Sequence, residues 1–155
     1  MDPTPYAESM TVRRRETIEE RLRRVQSRIS RFEPEEALEA RRRGALLVDL
    51  RLVDERERHG VIPGSIHIPR SVLEWRLDPD YEHRNPAVAD LERELILFCA
   101  DGFSSSLAVA SARDLGFRRV GDLVGGFTGW QAAGLPVQPA ARQAPIEVPG
   151  MGTPD

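Results

Sequence analysis

The single cysteine of the chain, Cys99, lies between a predicted buried strand and a predicted helix, a position that suits a reactive thiol. It follows the apolar run 95–98 and opens the segment 99–106, Cys-Ala-Asp-Gly-Phe-Ser-Ser-Ser, after which a helical pattern continues to Leu115. Loop N–H groups and a helix amino terminus both stabilise an anion, so a thiol at this junction should ionise more readily than in water. A lone cysteine is more often a small buried apolar side chain, but this position favours a nucleophile.

Length and composition predict one globular domain with extensions. The chain has 155 residues, of which 40% are hydrophobic and 30% charged, enough for one good core. One cysteine allows no intramolecular disulfide and fits a reducing compartment. The sequence contains neither an apolar stretch approaching the ~20 residues of a membrane span nor a signal-peptide core. We therefore expect a cytoplasmic protein without a membrane partner.

An arginine-rich segment precedes the domain. Residues 11–31 contain eight Arg and three Glu, whereas the whole chain carries a net charge of −3. Such a segment can bind nucleic acid, but Ile18, Leu22, Val25 and Ile29 form one helical stripe, and Thr17 with Glu20 matches a capping box. We expect an amphipathic helix over 17–31 that docks on the domain, and no nucleic-acid partner. Residues 1–29 are then an extension, and residues 138–155, rich in Pro and Gly, a disordered tail.

Between these ends, short apolar strands alternate with helical patterns, which predicts an α/β fold with a parallel sheet. The predicted strands are 45–48, 65–68, 95–98 and 119–123. The predicted helices are 34–42, 54–59, 71–77, 87–93, 105–115 and 127–133.

Four segments, in register, carry a resemblance to a known family. They are Leu-Val-Asp-Leu-Arg at 47–51, Gly-Val-Ile-Pro-Gly-Ser-Ile-His-Ile-Pro at 60–69, the Cys99 loop, and Leu-Val-Gly-Gly-Phe-Thr-Gly-Trp at 123–130 with Gly-Leu-Pro-Val at 134–137. Over residues 30–137 the chain resembles a rhodanese domain. The resemblance implies a single domain, with a central parallel sheet of about five strands and helices on both faces.

The same resemblance implies sulfur transfer through a persulfide on Cys99. The sulfur donor would be thiosulfate or an organic persulfide, and the acceptor a thiol, cyanide or a protein. The loop would bind the substrate through Ala100, Asp101, Gly102, Phe103, Ser104 and Ser105. A nucleophile that splits transfer into two steps requires neither a metal nor an organic cofactor. His59, His67 and His83 show no metal-ligand spacing.

The loop departs from the commonest family pattern in its charge. Many members carry basic residues inside the loop, whereas this loop has none and places Asp101 near the sulfur. A carboxylate there opposes thiolate formation and repels an anionic donor. The missing charge could come from Arg70, which follows the second predicted strand, and Trp75 could form a wall of the pocket. We expect Asp49 and Arg51 to fix a strand end rather than to take part in chemistry.

Two other classes of function compete with an active sulfurtransferase. The first is a binding, regulatory or sulfur-relay module with little turnover on free thiosulfate, which the acidic loop favours. The second is a cysteine phosphatase or arsenate reductase. Their related loops place an Arg six residues after the cysteine, where this chain has Ser105, so this reading is disfavoured.

Overall fold

The computed structural model describes residues 14–141, so the first 13 residues of the predicted extension and residues 142–155 of the predicted tail lie outside it. The described chain is an α/β domain built on one five-stranded sheet, in which every neighbouring pair of strands is parallel. The strands follow the order β1-β5-β4-β2-β3. They are β1 (Ser30–Phe32), β2 (Leu46–Asp49), β3 (Ile66–His67), β4 (Leu95–Phe98) and β5 (Val120–Leu123). The predicted parallel sheet is confirmed.

Six α-helices lie within the described residues, together with a 3₁₀ turn over Arg70–Val72. They are α1 (Ile18–Gln26), α2 (Pro34–Arg42), α3 (Val53–His59), α4 (Leu73–Leu77), α5 (Ser104–Asp114) and α6 (Gly126–Ala132). None of these helices is long and apolar enough to cross a bilayer.

The central strand β4 consists of apolar residues only, and its burial explains why. Its four residues are fully buried, because side chains alternate between the two faces of the sheet and both faces are covered. Leu95 and Leu97 belong to the core cluster shared with α4 and α5. Ile96 and Phe98 belong to the other cluster, with α2 and α6. The catalytic-loop candidate therefore begins at the end of a strand held rigidly from both sides.

The amino-terminal helix is shorter than predicted. Thr17 caps it by accepting a hydrogen bond from the Glu20 N–H at 3.1 Å, and Val25 is buried where the helix packs against α5. The helix ends at Gln26 rather than at residue 31, because residues 30–32 form strand β1 and pair with β5. Ile18, at 65% exposure, does not contribute to the docked stripe. The prediction missed β1 because it is three residues long.

The predicted helix over 87–93 is wrong. This segment forms consecutive turns. Asn85 Oδ1 accepts a hydrogen bond from the Ala87 N–H at 3.0 Å, and Asp90 Oδ1 accepts one from the Glu92 N–H at 2.9 Å. Short polar side chains that satisfy nearby backbone donors in this way compete with helix formation.

A backbone bridge lies just past the domain boundary predicted at residue 137. Gln138 and Val61 form an antiparallel bridge, with N–H to O distances of 2.9 Å and 2.7 Å in the two directions. Residue 138, the first of the predicted tail, is therefore hydrogen-bonded to the domain.

Candidate active site

Cys99 lies at the carboxyl edge of the sheet, directly after β4 and five residues before the start of α5 at Ser104. The residue is 8% exposed, at the floor of a pocket of about 360 Å³. The thiol is thus shielded from bulk water but open to a small molecule, as expected of a nucleophile at the end of a parallel strand.

The loop folds back on the sulfur atom. The Gly102 N–H donates to Cys99 Sγ at 3.2 Å, and the Ser105 Oγ lies 3.4 Å from the same sulfur. Burial raises the pKa of the thiol, but hydrogen bonds from the Ser105 and Ser104 hydroxyls and from the Ser105 and Gly102 N–H groups outweigh it. The pKa of Cys99 is therefore lower than that of an ordinary cysteine.

Gly102 is required for this geometry. Its φ of +87° lies in the left-handed region, and a Cβ at this position would stand 2.8 Å from the Gly125 nitrogen. Only glycine therefore lets the loop turn tightly enough to aim an N–H at the sulfur.

Most of the predicted site residues lie around Cys99. Two of them, Gly102 and Ser105, contact the sulfur directly. The others line the pocket above it, namely Arg70, Ala100, Asp101, Phe103 and Ser104. Trp75 is not among the lining residues; it lies 52% exposed over a separate depression with Tyr81 and Leu115, so its predicted role as a pocket wall is wrong. The short helix α4 turns this side chain away from the crevice.

The charge that Arg70 brings to the pocket is shared with Glu74. Its Nη1 donates to both Glu74 carboxylate oxygens, at 2.7 Å and 2.8 Å, and the Ser111 hydroxyl donates to the same carboxylate at 3.0 Å. Burial raises the pKa of Glu74, but the hydrogen bonds from Arg70 and Ser111 lower it by more. The pKa of Glu74 is therefore below its ordinary value, and the carboxylate stays ionised. Arg70 thus reaches the pocket as one half of an ion pair.

The mouth of the pocket is acidic and apolar. Asp101 is exposed, and its Oδ1 accepts a hydrogen bond from the Thr128 hydroxyl at 3.0 Å. Phe103 and Leu52 line the pocket with 63% and 65% of their surfaces exposed. A ligand that enters therefore meets two exposed apolar side chains and the carboxylates of Asp101 and Glu55.

Asp49 and Arg51 stiffen the wall of the site. The two side chains form a buried ion pair at 2.9 Å, and Arg51 also donates to the Gly60 carbonyl at 2.8 Å. The guanidinium carbon lies 3.9 Å from the centre of the Phe127 ring. These contacts hold together the loops after β2 and α3 and the helix α6, as predicted for the pair.

A buried polar network beneath the loop was not predicted. Asp122, fully buried in β5, accepts hydrogen bonds from Ser105 at 2.9 Å, Ser106 at 2.7 Å and Arg31 Nε at 2.9 Å. The signal available in the sequence was a carboxylate inside an otherwise apolar strand, because such a group is buried only with partners. The Arg31 partner could not be identified without the pairing of β1 with β5.

Within residues 14–141, no three His, Cys, Asp or Glu side chains come together as metal ligands would. His67 is tied to the fold, since its Nε2 lies 2.7 Å from the Arg51 carbonyl oxygen.

A cysteine at the end of a buried parallel strand, with a loop that turns its N–H groups onto the sulfur, defines a class of domain that binds small anions or sulfur compounds at the carboxyl edge of a sheet. The model of the rhodanese-like domain family matches residues 33–133 of the chain. The chain belongs to the rhodanese-like domain family.

Several known proteins are similar to the chain. The thiosulfate sulfurtransferase GlpE of Stutzerimonas stutzeri is 38% identical over 102 residues, which are 65% of this chain and 84% of that protein. The human single-domain sulfurtransferase TSTD1 is 30% identical, with a TM-score of 0.53 over 67% of this chain and 95% of that one. A Rhodopseudomonas palustris structure described as a possible tyrosine phosphatase is 31% identical, with a TM-score of 0.73 over 83% and 99%.

Proposed function

We propose that the protein is a sulfurtransferase in which Cys99 carries a sulfane sulfur as a persulfide. The observation that carries the proposal is the thiol itself, lowered in pKa by the folded loop and open to a pocket of about 360 Å³. Two relatives, 38% and 36% identical to the chain, are thiosulfate sulfurtransferases, and the similarity covers 84% and 88% of their lengths. The sulfur would be carried by Cys99 and bound by the loop residues named above.

In the first step, the Cys99 thiolate attacks the outer sulfur of the donor. A bond forms between Sγ and that sulfur, and the donor's own S–S bond breaks, its electron pair leaving with sulfite or with an organic thiolate. The Gly102 N–H and the Ser105 hydroxyl, which face the sulfur, stabilise the thiolate that attacks and the persulfide anion that forms.

In the second step, an acceptor nucleophile such as a thiolate or cyanide attacks the terminal sulfur of the persulfide. The bond between the two sulfurs breaks, and its electron pair returns to Sγ. The thiolate is regenerated without any net oxidation of the protein. The donor, the acceptor and Cys99 together balance both steps.

The donor that fits the pocket best is an organic persulfide rather than free thiosulfate. Arg70 is bound to Glu74, and Asp101 lies at the mouth, so a dianion gains little from the charged side chains. Phe103 and Leu52 offer exposed apolar surface to the organic part of a donor, or to the surface of a protein acceptor. A sulfur-relay role with slow turnover on thiosulfate is the second candidate, and the same Arg70–Glu74 pair favours it.

Phosphatase chemistry has less support. The sixth residue after Cys99 is Ser105 rather than an arginine that could hold a phosphate, and its hydroxyl contacts the buried carboxylate of Asp122. We expect no turnover of an aryl phosphate. The lone thiol also favours a reducing compartment, and we infer the cytoplasm.

Mass spectrometry of the intact protein after incubation with thiosulfate, and separately with an organic persulfide, tests the proposal. We expect the mass of one additional sulfur atom, lost again when a thiol or cyanide is added. The Cys99→Ser variant should fold normally and gain no sulfur, because the chain has no other thiol. Sulfur transfer that persists in this variant at the parent's rate contradicts the assignment.

A further inference from the structure

The Ser105 hydroxyl stands between two acceptors and has one hydrogen to give. Its Oγ lies 3.4 Å from Cys99 Sγ and 2.9 Å from Asp122 Oδ2. A serine hydroxyl can accept from one group while it donates to another, but it cannot donate to both acceptors at once. The Ser105 hydroxyl therefore donates either to the sulfur or to the carboxylate at any one time.

Asp122 can release Ser105 without losing its own stabilisation. The Ser106 hydroxyl donates to Oδ2 at 2.7 Å, and Arg31 donates to Oδ1 through Nε at 2.9 Å and to Oδ2 through Nη2 at 3.3 Å. A fully buried carboxylate that kept no donors would be strongly destabilised, but this one retains three.

We propose that Ser105 is a donor that switches between Asp122 and the Cys99 sulfur, and that Asp122 is a positioning residue that sets how readily the thiolate forms. In the thiol state, the Cys99 S–H donates to Ser105 Oγ and the Ser105 O–H donates to Asp122. When the thiol proton leaves to solvent through the pocket, the Ser105 hydroxyl turns and donates to the thiolate. The inference rests on the proposed function only in taking the Cys99 thiolate as the nucleophile.

The charges around Cys99 leave room for such a local control. Arg31 pairs with Asp122 and Arg70 with Glu74, while the Asp49 carboxylate is shared by Arg51 at 2.9 Å and Arg56 at 3.8 Å. Glu55 and Asp101 also line the pocket, Glu55 partly buried and Asp101 exposed. Because each of these charges has a counter-charge or solvent beside it, the hydrogen bonds made directly to the sulfur weigh more in its ionisation.

The network also connects the loop to chain that precedes the family domain. Arg31 lies before the matched range 33–133, and its Nη2 donates to the Gly102 carbonyl at 3.1 Å. Gly102 in turn donates its N–H to the sulfur. Arg31 thus holds both Asp122 and the loop residue that binds the sulfur, so strand β1 belongs to the machinery that positions Cys99.

The decisive experiment compares two variants that remove or weaken the hydrogen bond between Ser105 and Asp122. Ser105→Ala removes the donor to the thiolate and should raise the Cys99 pKa by about one unit. Asp122→Asn replaces the competing carboxylate with an uncharged and weaker acceptor, so Ser105 turns to the sulfur more readily, and the Cys99 pKa should fall by up to about one unit. The measurement is the pH dependence of thiolate ultraviolet absorbance and of iodoacetamide alkylation. A purely structural role predicts that both variants shift the pKa in the same direction, and that result overturns the proposal.

The double variant separates the switch from simple charge removal. In the Ser105→Ala background, Asp122→Asn should shift the Cys99 pKa by much less than it does alone. An undiminished shift shows that the Asp122 charge acts directly on the sulfur, and contradicts the switch. Ser106→Ala removes another donor from Asp122 Oδ2 without touching the sulfur, so Asp122 depends more on Ser105. The Cys99 pKa should rise in this variant, by less than in Ser105→Ala, and the rise should be smaller in the Ser105→Ala background.

Should Asp122→Asn not fold, Arg31→Gln decides the question. Without the guanidinium, Asp122 depends more on Ser105, so the Cys99 pKa should rise, and it should rise less in the Ser105→Ala background. Equal rises in both backgrounds refute the switch. These titrations need no sulfur donor, so their outcome is independent of whether sulfur transfer is observed.

Discussion

Arg70 Nη1 lies 2.7 Å and 2.8 Å from the two carboxylate oxygens of Glu74, four residues further along the chain. Arg70 also lines the pocket above Cys99. The residue best placed to attract an anionic donor is therefore neutralised by its neighbour, and the Ser111 hydroxyl helps to fix that neighbour in place. The preference of the enzyme between anionic and organic sulfur donors should therefore depend on this ion pair, and a single substitution should change it.

Glu74→Gln should increase kcat/KM for thiosulfate several-fold. The substitution leaves the guanidinium charge of Arg70 without a counter-charge, so it attracts a dianion into the pocket; the gain should shrink as salt is added. An organic persulfide should gain less. Steady-state kinetics with both donors at low and high salt provide the measurement.

Glu94→Gln is the matched control for that variant. Glu94 forms a comparable ion pair with Arg119 at 2.9 Å, but it precedes β4 and so lies at the end of the strand opposite Cys99. Its removal should leave thiosulfate kinetics unchanged. If the two variants behave alike, Arg70 does not contribute to donor binding.

Asp101→Asn should also favour thiosulfate, by a few-fold at low salt. The carboxylate lines the pocket and opposes both the thiolate and an incoming dianion, but it is exposed, so solvent weakens its effect. Asparagine keeps an oxygen that can accept from Thr128. Asp114→Asn, an exposed change at the far end of α5, controls for net charge. Identical salt dependence in both variants would show that Asp101 points its charge into solvent.

The rate of the thiolate-dependent step should rise with pH through a midpoint below the ordinary pKa of cysteine. Burial raises the Cys99 pKa, but hydrogen bonds from Ser105, Ser104 and Gly102 lower it below the usual value. A folded-state pKa below the unfolded one contributes stability that is present above the unfolded pKa and is lost as the pH falls through the folded pKa. The pH dependence of the alkylation rate of Cys99 measures this midpoint. A midpoint at or above that of a free thiol contradicts the prediction.

The position of the nucleophile could be read from the sequence because it depends on local patterns. A continuous apolar run predicts a buried parallel strand, and Gly102 and the serines predict the turn into a helix, so Cys99 had to lie at the carboxyl edge. The lining of the pocket is harder to predict from the sequence. The position of its segment after the second predicted strand puts Trp75 near the crevice, but the orientation of a five-residue helix decides where such a side chain lies.

The network beneath the loop could not be predicted, because it depends on long-range pairing. Arg31 and Asp122 are 91 positions apart and meet only because β1 pairs with β5. A three-residue strand such as β1 carries too little alternation to be recognised. The false helix at 87–93 has the opposite origin, since its apolar residues suit a helix but Asn85 and Asp90 satisfy the backbone locally.

Val25→Ala should lower the free energy of unfolding by about 1 to 2 kcal/mol, because it removes two methyl groups from a buried site where α1 packs against α5. Ile18→Ala lies on the same helix at 65% exposure and should cost less than about 0.5 kcal/mol, although it removes more apolar volume. Urea unfolding of the full chain gives both values. The contrast matters for the site, since the residue after Val25, Gln26, donates to the Ser106 hydroxyl at 3.1 Å, at the edge of the network around Asp122. Equal costs for the two variants would show that α1 does not dock through Val25.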